Sequence, residues 1–356
     1  VNQEPTGARS GRRRVRQAND GAVRLPELEL TGSGIEAHRP GAATIAGAGW
    51  LQREAAVMGT AIGVLLWCDD RSTGEAAADA VIAEMHRIDA AMSPYKPDSE
   101  LSRINREAAQ RAVPVSAEML TLLDLSLHFS RLSGGLFDIT YAAVGHLYDY
   151  RRGVAPSDEQ LARARAAVGY RGLVLDAAAR TVRFATEGMR IDLGGFAKGY
   201  AVERGAAILR RFGIAQGIVS AGGDSRLVGD RLGRPWTIGV SDPRRRGQVV
   251  AVLPLEDVAV STSGDYERYF EADGVRHHHL IDPRSGRSPS SVRSVTVVAG
   301  DGLTSEAMSK SVFMLGVDEG LRLVEAQPGV DAVVVDASGR LHCSRGLLAV
   351  GTPARH

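Results

Sequence analysis

Between Arg190 and Val202 the chain reads Arg-Ile-Asp-Leu-Gly-Gly-Phe-Ala-Lys-Gly-Tyr-Ala-Val, and any fold must accommodate that paired-glycine turn. Met189 and Ile191 read as the end of a strand, and the pattern from Phe196 onward reads as a helix. Gly194 and Gly195 between them let backbone come close to a ligand and leave N–H groups facing it. A helix starting there adds the positive end of its dipole, which suits a phosphate or pyrophosphate. Lys198 in the first turn adds a full positive charge, while Asp192 must accept hydrogen bonds or answer to a cation. A plain strand–helix turn capped by Asp192 accounts for the same residues, and spacing alone leaves both readings open. The stretch is not a P-loop, because Lys198 precedes Gly199 rather than following the last glycine.

Bulk properties narrow the classes. A chain of 356 residues can bury a sizeable core in one large or two ordinary domains. With 44% apolar and 24% charged residues it has the composition of a water-soluble globular protein. A net charge of +1 creates no strong field, so nucleic acid is not an expected partner. No run approaches the roughly 18 to 20 apolar residues of a membrane span. Arg12-Arg13-Arg14 is followed by polar residues rather than an apolar segment, so no export signal is readable and a cytoplasmic location is the expectation. Cys68 and Cys343 share no ligand spacing; two cysteines allow one disulfide, with two buried free thiols the expectation.

Along the chain, residues 1–48 are rich in Gly, Arg, Ala and Pro without periodicity, and are expected to be disordered or loosely attached. Ala55–Trp67 reads as one buried strand, and Ser72-Thr73-Gly74-Glu75 as the capping box of a helix carrying Val81, Met85, Ile88 and Met92 on one face. Ser116 caps a helix ending at Gly134-Gly135, and Ser157 with Gln160 caps a shorter one. Leu173–Leu175 and Val182–Phe184 form an expected hairpin ahead of the glycine turn. After a helix over Phe196–Phe212 come strands near 218–220, 236–240, 249–253, 258–260 and 292–298, then a helix over Thr304–Met314 and a β-rich end. Helices and strands mix without βαβ alternation, which predicts an α+β fold.

Several short segments, in this order, resemble the ApbE family of flavin transferases, which move FMN from FAD onto proteins. They are Met58-Gly59-Thr60, Tyr95 with Asp98–Asn105, Phe137–Thr140, Asp192–Val202, Gly222-Gly223-Asp224, Ser261–Glu267 and His279–Gly286. The resemblance spans roughly Ala55 to Gly316 and implies an FAD-binding transferase domain over 49–350 with an ApbE-like arrangement of mixed sheets and helices. It implies that a Ser or Thr hydroxyl of an acceptor protein attacks the FMN phosphorus with Mg²⁺ present, and that AMP leaves. By the same resemblance Met58, Tyr95 and the segment Gly135, Leu136, Phe137 would contact the flavin nucleotide. Asp192 and Lys198 would hold FAD near its adenosine or phosphates, with Ser263 and Ile281 in further nucleotide-contacting segments. His279 would sit beside the scissile phosphates as a catalytic group, with Glu306 the second catalytic residue. Taken alone, Met58 reads as core, Tyr95 as a turn anchor and Ser261–Gly264 as an ordinary turn. His277–His279 is poor zinc spacing, since alternate strand residues face opposite sides.

The sequence departs from the family where its metal helix usually carries Asp and, four residues on, Thr. Here Glu306 and Lys310 stand at those positions, and with Gly195 they mark where the metal would lie. Spacing i,i+4 puts Glu306 and Lys310 on one helical face, so an ion pair is the plain reading. The sharper expectation is that the Lys310 ammonium takes the place of Mg²⁺, so FAD binding outlasts metal-dependent transfer. A second departure is Tyr141-Ala142-Ala143, where relatives often carry Gly-Pro. Three readings follow: FMN transfer to a protein, an FAD-binding protein whose transfer has faded, and an FAD pyrophosphatase releasing FMN and AMP.

Overall fold

The computed structural model describes residues 48–348 and the pair 16–17, which lies antiparallel to Ala251–Val252. The rest of the expected lead-in, and residues 349–350 of the expected domain, lie outside the described residues.

The frame is an eight-stranded antiparallel sheet. Its spatial order is Leu341–Cys343, Asp331–Asp336, Val292–Ala299, Ala259–Gly264, Asp224–Val228, Gly217–Ala221, Thr60–Cys68 and Gly49–Val57. The central strands are apolar on both faces, because alternate residues enter different cores. Val64, Leu66, Val219, Val295, Val297 and Val334 pack with the helices Arg71–Met92, Ala197–Arg211 and Gly302–Leu315. Leu65, Ile218, Val298 and Val333 instead meet Trp236, Leu253 and Leu255 of the strand pair Trp236–Ser241 and Val249–Leu255. Helices on one face and a small sheet on the other make the fold α+β, as expected.

Four local expectations change. The apolar run Ala55–Trp67 is a hairpin rather than one strand, and its two-residue turn is Met58-Gly59. Both residues have positive φ, 56° and 68°, the twist that joins two right-handed strands directly. The first long helix is capped by Asp70, not by Ser72; its carboxylate accepts from the Thr73 N–H at 2.8 Å and from both neighbouring hydroxyls. Met189–Ile191 forms no strand. It is a buried irregular segment whose backbone is paired by a side chain: Asn105 donates to the Ile191 carbonyl at 2.9 Å and accepts its N–H at 2.8 Å. Cys68 is buried as expected, but Cys343 is only half-buried; both are free thiols.

Other expectations stand. Ser116 accepts from the Met119 N–H, Ser157 and Gln160 form a complete capping box, and Val81, Met85, Ile88 and Met92 are buried. Among the described residues no helix is long and apolar enough to cross a membrane.

One contact decides how the site is assembled. A Cβ on Gly199 would lie 2.1 Å from the Gly302 carbonyl oxygen, and a Cβ on Gly302 would lie 2.2 Å from that of Gly199. The Ala197–Arg211 and Gly302–Leu315 helices therefore touch backbone to backbone, and only glycine at both positions permits it. Gly302→Ala is expected to force the helices apart and lower stability by about 3 kcal/mol. Urea unfolding checks this, and a loss under about 1 kcal/mol would mean that the contact is dispensable.

Candidate active site

Most N–H groups of the glycine turn are engaged within it, which favours the plain strand–helix turn of the two sequence readings. Gly194 donates to the Asp192 carboxylate at 2.6 Å, and Phe196 and Ala197 both donate to the Leu193 carbonyl at 2.7 and 2.6 Å. Three of the turn's N–H groups are thus taken within it, and the contribution of Gly195 to the site is steric. A Cβ on Gly195 would sit 3.0 Å from Cδ and Cε of Lys310, so the missing side chain leaves room for the lysine stem.

Around that stem four charged groups converge. Lys198, in the first turn after the glycines, donates to Glu306 Oε1 at 2.8 Å and also to Asp224. Lys310 donates to the same Glu306 oxygen at 3.1 Å, completing the expected i,i+4 pair. Glu306 Oε2 accepts the Gly199 N–H at 2.7 Å, a bond that the close helix crossing makes possible. Glu306 is wholly buried; burial works against its charge, but the two ammoniums outweigh it and hold its carboxyl low. For Asp224 the balance is reversed, since burial and the Glu306 charge push it up against the pull of Lys198. Burial lowers the proton affinity of Lys198, yet its two carboxylates outweigh that and raise it. Lys198 was expected to hold FAD directly; its ammonium is engaged by two carboxylates, so its first role is to compensate them.

His279 completes the cluster. It follows the Val275–His278 strand rather than lying in it, and its N–H donates to the Arg268 carbonyl at 3.0 Å. Burial, then the charge of Lys310, with His278, Lys198 and Arg268 adding smaller effects, brings its imidazole down to about 3. His279 is therefore neutral at physiological pH. Its Nδ1 and Asp224 Oδ1 are buried atoms without a hydrogen-bond partner among the described residues. Such atoms inside a polar cluster are where a ligand or water is expected.

The remaining expected contacts fall into three groups. Met58 sits at the hairpin turn, and the carbonyl of Gly59 accepts from the exposed Arg268 guanidinium at 3.3 Å. Arg268 in turn favours the charge of Asp192, whose carboxyl burial pushes up. Outside the same turn lies an open cavity of about 840 Å³, lined by Met58, Thr60, His86, Asp89 and Lys96 among others. Tyr95 is 85% exposed, and its phenol is near enough to act on the ionisation of Tyr141 and Tyr150. Tyr141, from the segment that departs from the family, also feels Asp192 and Arg268, which places it at the site. In the second group, Leu136, Phe137 and Ile281 are buried by their side chains. Phe137 packs with Phe129 and Phe196, and Ile281 with Val144, Tyr148 and Leu161, so only their backbones remain for a ligand. The third group is structural. Gly135 has φ +87° and lies on Tyr170, and Ser263 shares a hydrogen bond with Ser309 at 2.8 Å, fixing the metal-position helix to the sheet. Asp138 accepts from Thr140 and the Tyr170 N–H, a buried staple rather than a ligand group.

Three members of the site carried no assigned role in the sequence. Asp224 was visible as the acid after Gly222-Gly223, and Asn105 as the end of a polar run. Arg268 had no signal, because only the fold brings it to Gly59 and Asp192.

The fold, the buried charge cluster and the neutral histidine define a nucleotide-handling enzyme of the flavin transferase class. The ApbE family pattern matches residues 58–334. The chain is 31% identical over 291 residues to the FAD:protein FMN transferase of Treponema pallidum, covering 77% of this chain and 80% of that one. The ApbE protein of Thermotoga maritima superposes with TM-score 0.79 at 31% identity, over 86% of this chain and all of that one. The flavin transferase ApbE of Vibrio cholerae superposes with TM-score 0.76 at 27% identity, over 85% of this chain and 99% of that one. This chain belongs to the ApbE family.

The family's divalent metal does not fit these residues. At the position where the resemblance puts the metal, Glu306 already takes two ammoniums and an N–H, and Lys310 fills the space beside Gly195.

The depressed His279 value has a sign that can be checked. Its folded value is near 3 against an ordinary 6.5, so below pH 6.5 the unfolded chain takes up a proton that the folded chain refuses. The associated stability is present above that value and lost as pH falls toward 3. His278, also lowered by burial, adds in the same direction. The His279 ring resonances are expected to stay flat between about pH 5 and about pH 8 in NMR, and a midpoint near 6.5 would contradict the burial argument.

Proposed function

We propose that this chain transfers the FMN portion of FAD to a Ser or Thr hydroxyl of an acceptor protein and releases AMP. The observation that carries the reading is the convergence of Gly195, Lys198, Asp224, His279, Glu306 and Lys310 into one charged cluster in a chain of this family. Phosphoryl transfer depends on positioning and charge compensation, and a cluster with fixed lysines supplies both.

In the proposed step the acceptor oxygen bonds to the FMN phosphorus, the bond from that phosphorus to the bridging oxygen breaks, and AMP leaves with that oxygen. The hydroxyl proton needs a base. His279 is neutral before FAD arrives, held so by burial and the nearby lysines. A pyrophosphate beside it adds negative charge, which favours the imidazolium and makes His279 a stronger base in the complex. Arg268, bonded at the Met58-Gly59 turn, and Asp192, whose charge it favours, are suited to the polar portion of the nucleotide, and Tyr95 and Tyr141 to its rings. No step passes through a metal ion.

The test is incubation with FAD and a peptide of the type Asp-Gly-Ala-Thr-Gly-Ala-Thr, followed by intact-mass analysis. A gain of one FMN per peptide is expected, absent when the acceptor threonines are valines. His279→Ala is expected to slow the gain by about 100-fold or more. Release of FMN and AMP without any gain on the peptide would make the chain a hydrolase instead.

A further inference from the structure

We propose that Lys310 is a built-in cation for the FAD pyrophosphate, so that this chain binds FAD without a divalent metal. The inference rests on the transferase reading for the identity of the ligand, but its geometry stands independently. The Lys310 ammonium has three donors and one hydrogen-bond partner among the described residues, Glu306 Oε1 at 3.1 Å. It is mostly buried, with 16% of its side chain exposed, so the remaining donors do not simply dissolve into solvent. The stem is positioned by the absent side chain of Gly195, 3.0 Å from where a Cβ would stand. Burial first, and then the Lys310 charge, disfavours a proton on His279, whose Nδ1 is buried and without a partner among the described residues.

Charge and the engagement of Glu306 work against a divalent ion in the same place. Glu306 Oε1 accepts from both lysines and Oε2 from the Gly199 N–H, so a metal must displace one of them or do without this carboxylate. The other carboxylate, Asp224, has one oxygen engaged by Lys198 and only Oδ1 unpartnered. That leaves Mg²⁺ one carboxylate oxygen from this cluster, and a divalent ion there would face two ammoniums. Lys198 and Lys310 against Asp224 and Glu306 sum to no net charge. An arriving pyrophosphate therefore finds a neutral cluster in which Lys310 can turn its free donors outward, as a point-charge phosphate partner.

The experiment uses the full chain stripped with EDTA. FAD affinity is measured by flavin fluorescence in EDTA and in millimolar Mg²⁺, and Mn²⁺ retention by electron paramagnetic resonance without and with FAD. The proposal expects FAD affinities within about twofold of each other and no retained Mn²⁺. It expects Lys310→Met to weaken FAD by about tenfold or more in EDTA, with Lys310→Arg retaining most of the affinity. The double change Glu306→Asp with Lys310→Thr is expected to gain Mn²⁺ retention. An affinity that rises tenfold or more with Mg²⁺, or stoichiometric Mn²⁺ on the unaltered chain, overturns the proposal whatever the variants do. Metal-independent FAD binding without FMN transfer to the peptide would sink the transferase reading and leave this inference standing. Absence of FAD binding in every condition would end both.

Discussion

The carboxylate of Glu306 is the group on which the site depends. A fully buried charge costs several kcal/mol in lost hydration and is tolerated only when its partners are fixed. Here they are Lys198, Lys310 and the Gly199 N–H, drawn from two helices. At an effective dielectric of about 20, one ion pair near 3 Å gains about 5 kcal/mol, comparable with the burial cost. The pairing thus roughly balances the cost rather than adding much stability, while removal of one partner typically loses about 3 to 5 kcal/mol. What the arrangement provides is a defined geometry. It exists because Gly199 and Gly302 let the two helices touch, which sets the distance from Lys198 to Glu306.

Around that ion pair the site is poised for an anion without being strongly positive. Two lysines and two carboxylates cancel, and the adjacent histidine is kept neutral by burial and by the same lysines. Asp224 Oδ1 and His279 Nδ1 are left without partners in a polar, enclosed setting. A bound pyrophosphate changes all of these balances in one direction. In the proposed complex it would draw on the free donors of Lys310 and favour a proton on His279, with Glu306 still held by Lys198, Lys310 and Gly199. The same electrostatics that disfavour a second cation therefore favour a dianionic group.

Much of this was legible in the sequence, and the limits have physical reasons. The α+β class, the Ser116 and Ser157 caps and the buried face of the first long helix follow from periodicity and capping chemistry, which are local. The Met58-Gly59 turn was hidden because it lies inside the nearly unbroken small and apolar run Ala55–Trp67, with no Pro, Asn or Asp to mark a turn. Ile191 imitates a strand end, yet its backbone bonds go to the Asn105 side chain, 86 positions away in sequence. The glycine pair suggested a phosphate cradle, but whether its N–H groups are free depends on Asp192 and Leu193, which spacing does not reveal. Glu306 with Lys310 was readable as a helical pair; Arg268 was not, because only the fold brings it to Gly59.

The Glu306–Lys310 pair is best understood as one linked replacement. Glutamate is one methylene longer than the aspartate usual in this helix, and here both its oxygens are taken up, by two ammoniums and a backbone N–H. Lysine in place of threonine with a metal still present would set an ammonium against a divalent ion, an unfavourable contact at any effective dielectric. Threonine opposite Glu306 without a metal would leave one buried carboxylate too many, since Lys198 already serves Asp224. Gain of the lysine alone, or loss of the metal alone, therefore leaves an uncompensated charge beside the fully buried Glu306. Made together, and with Gly195 leaving room for the longer stem, they keep the cluster neutral and the cation in the chain itself.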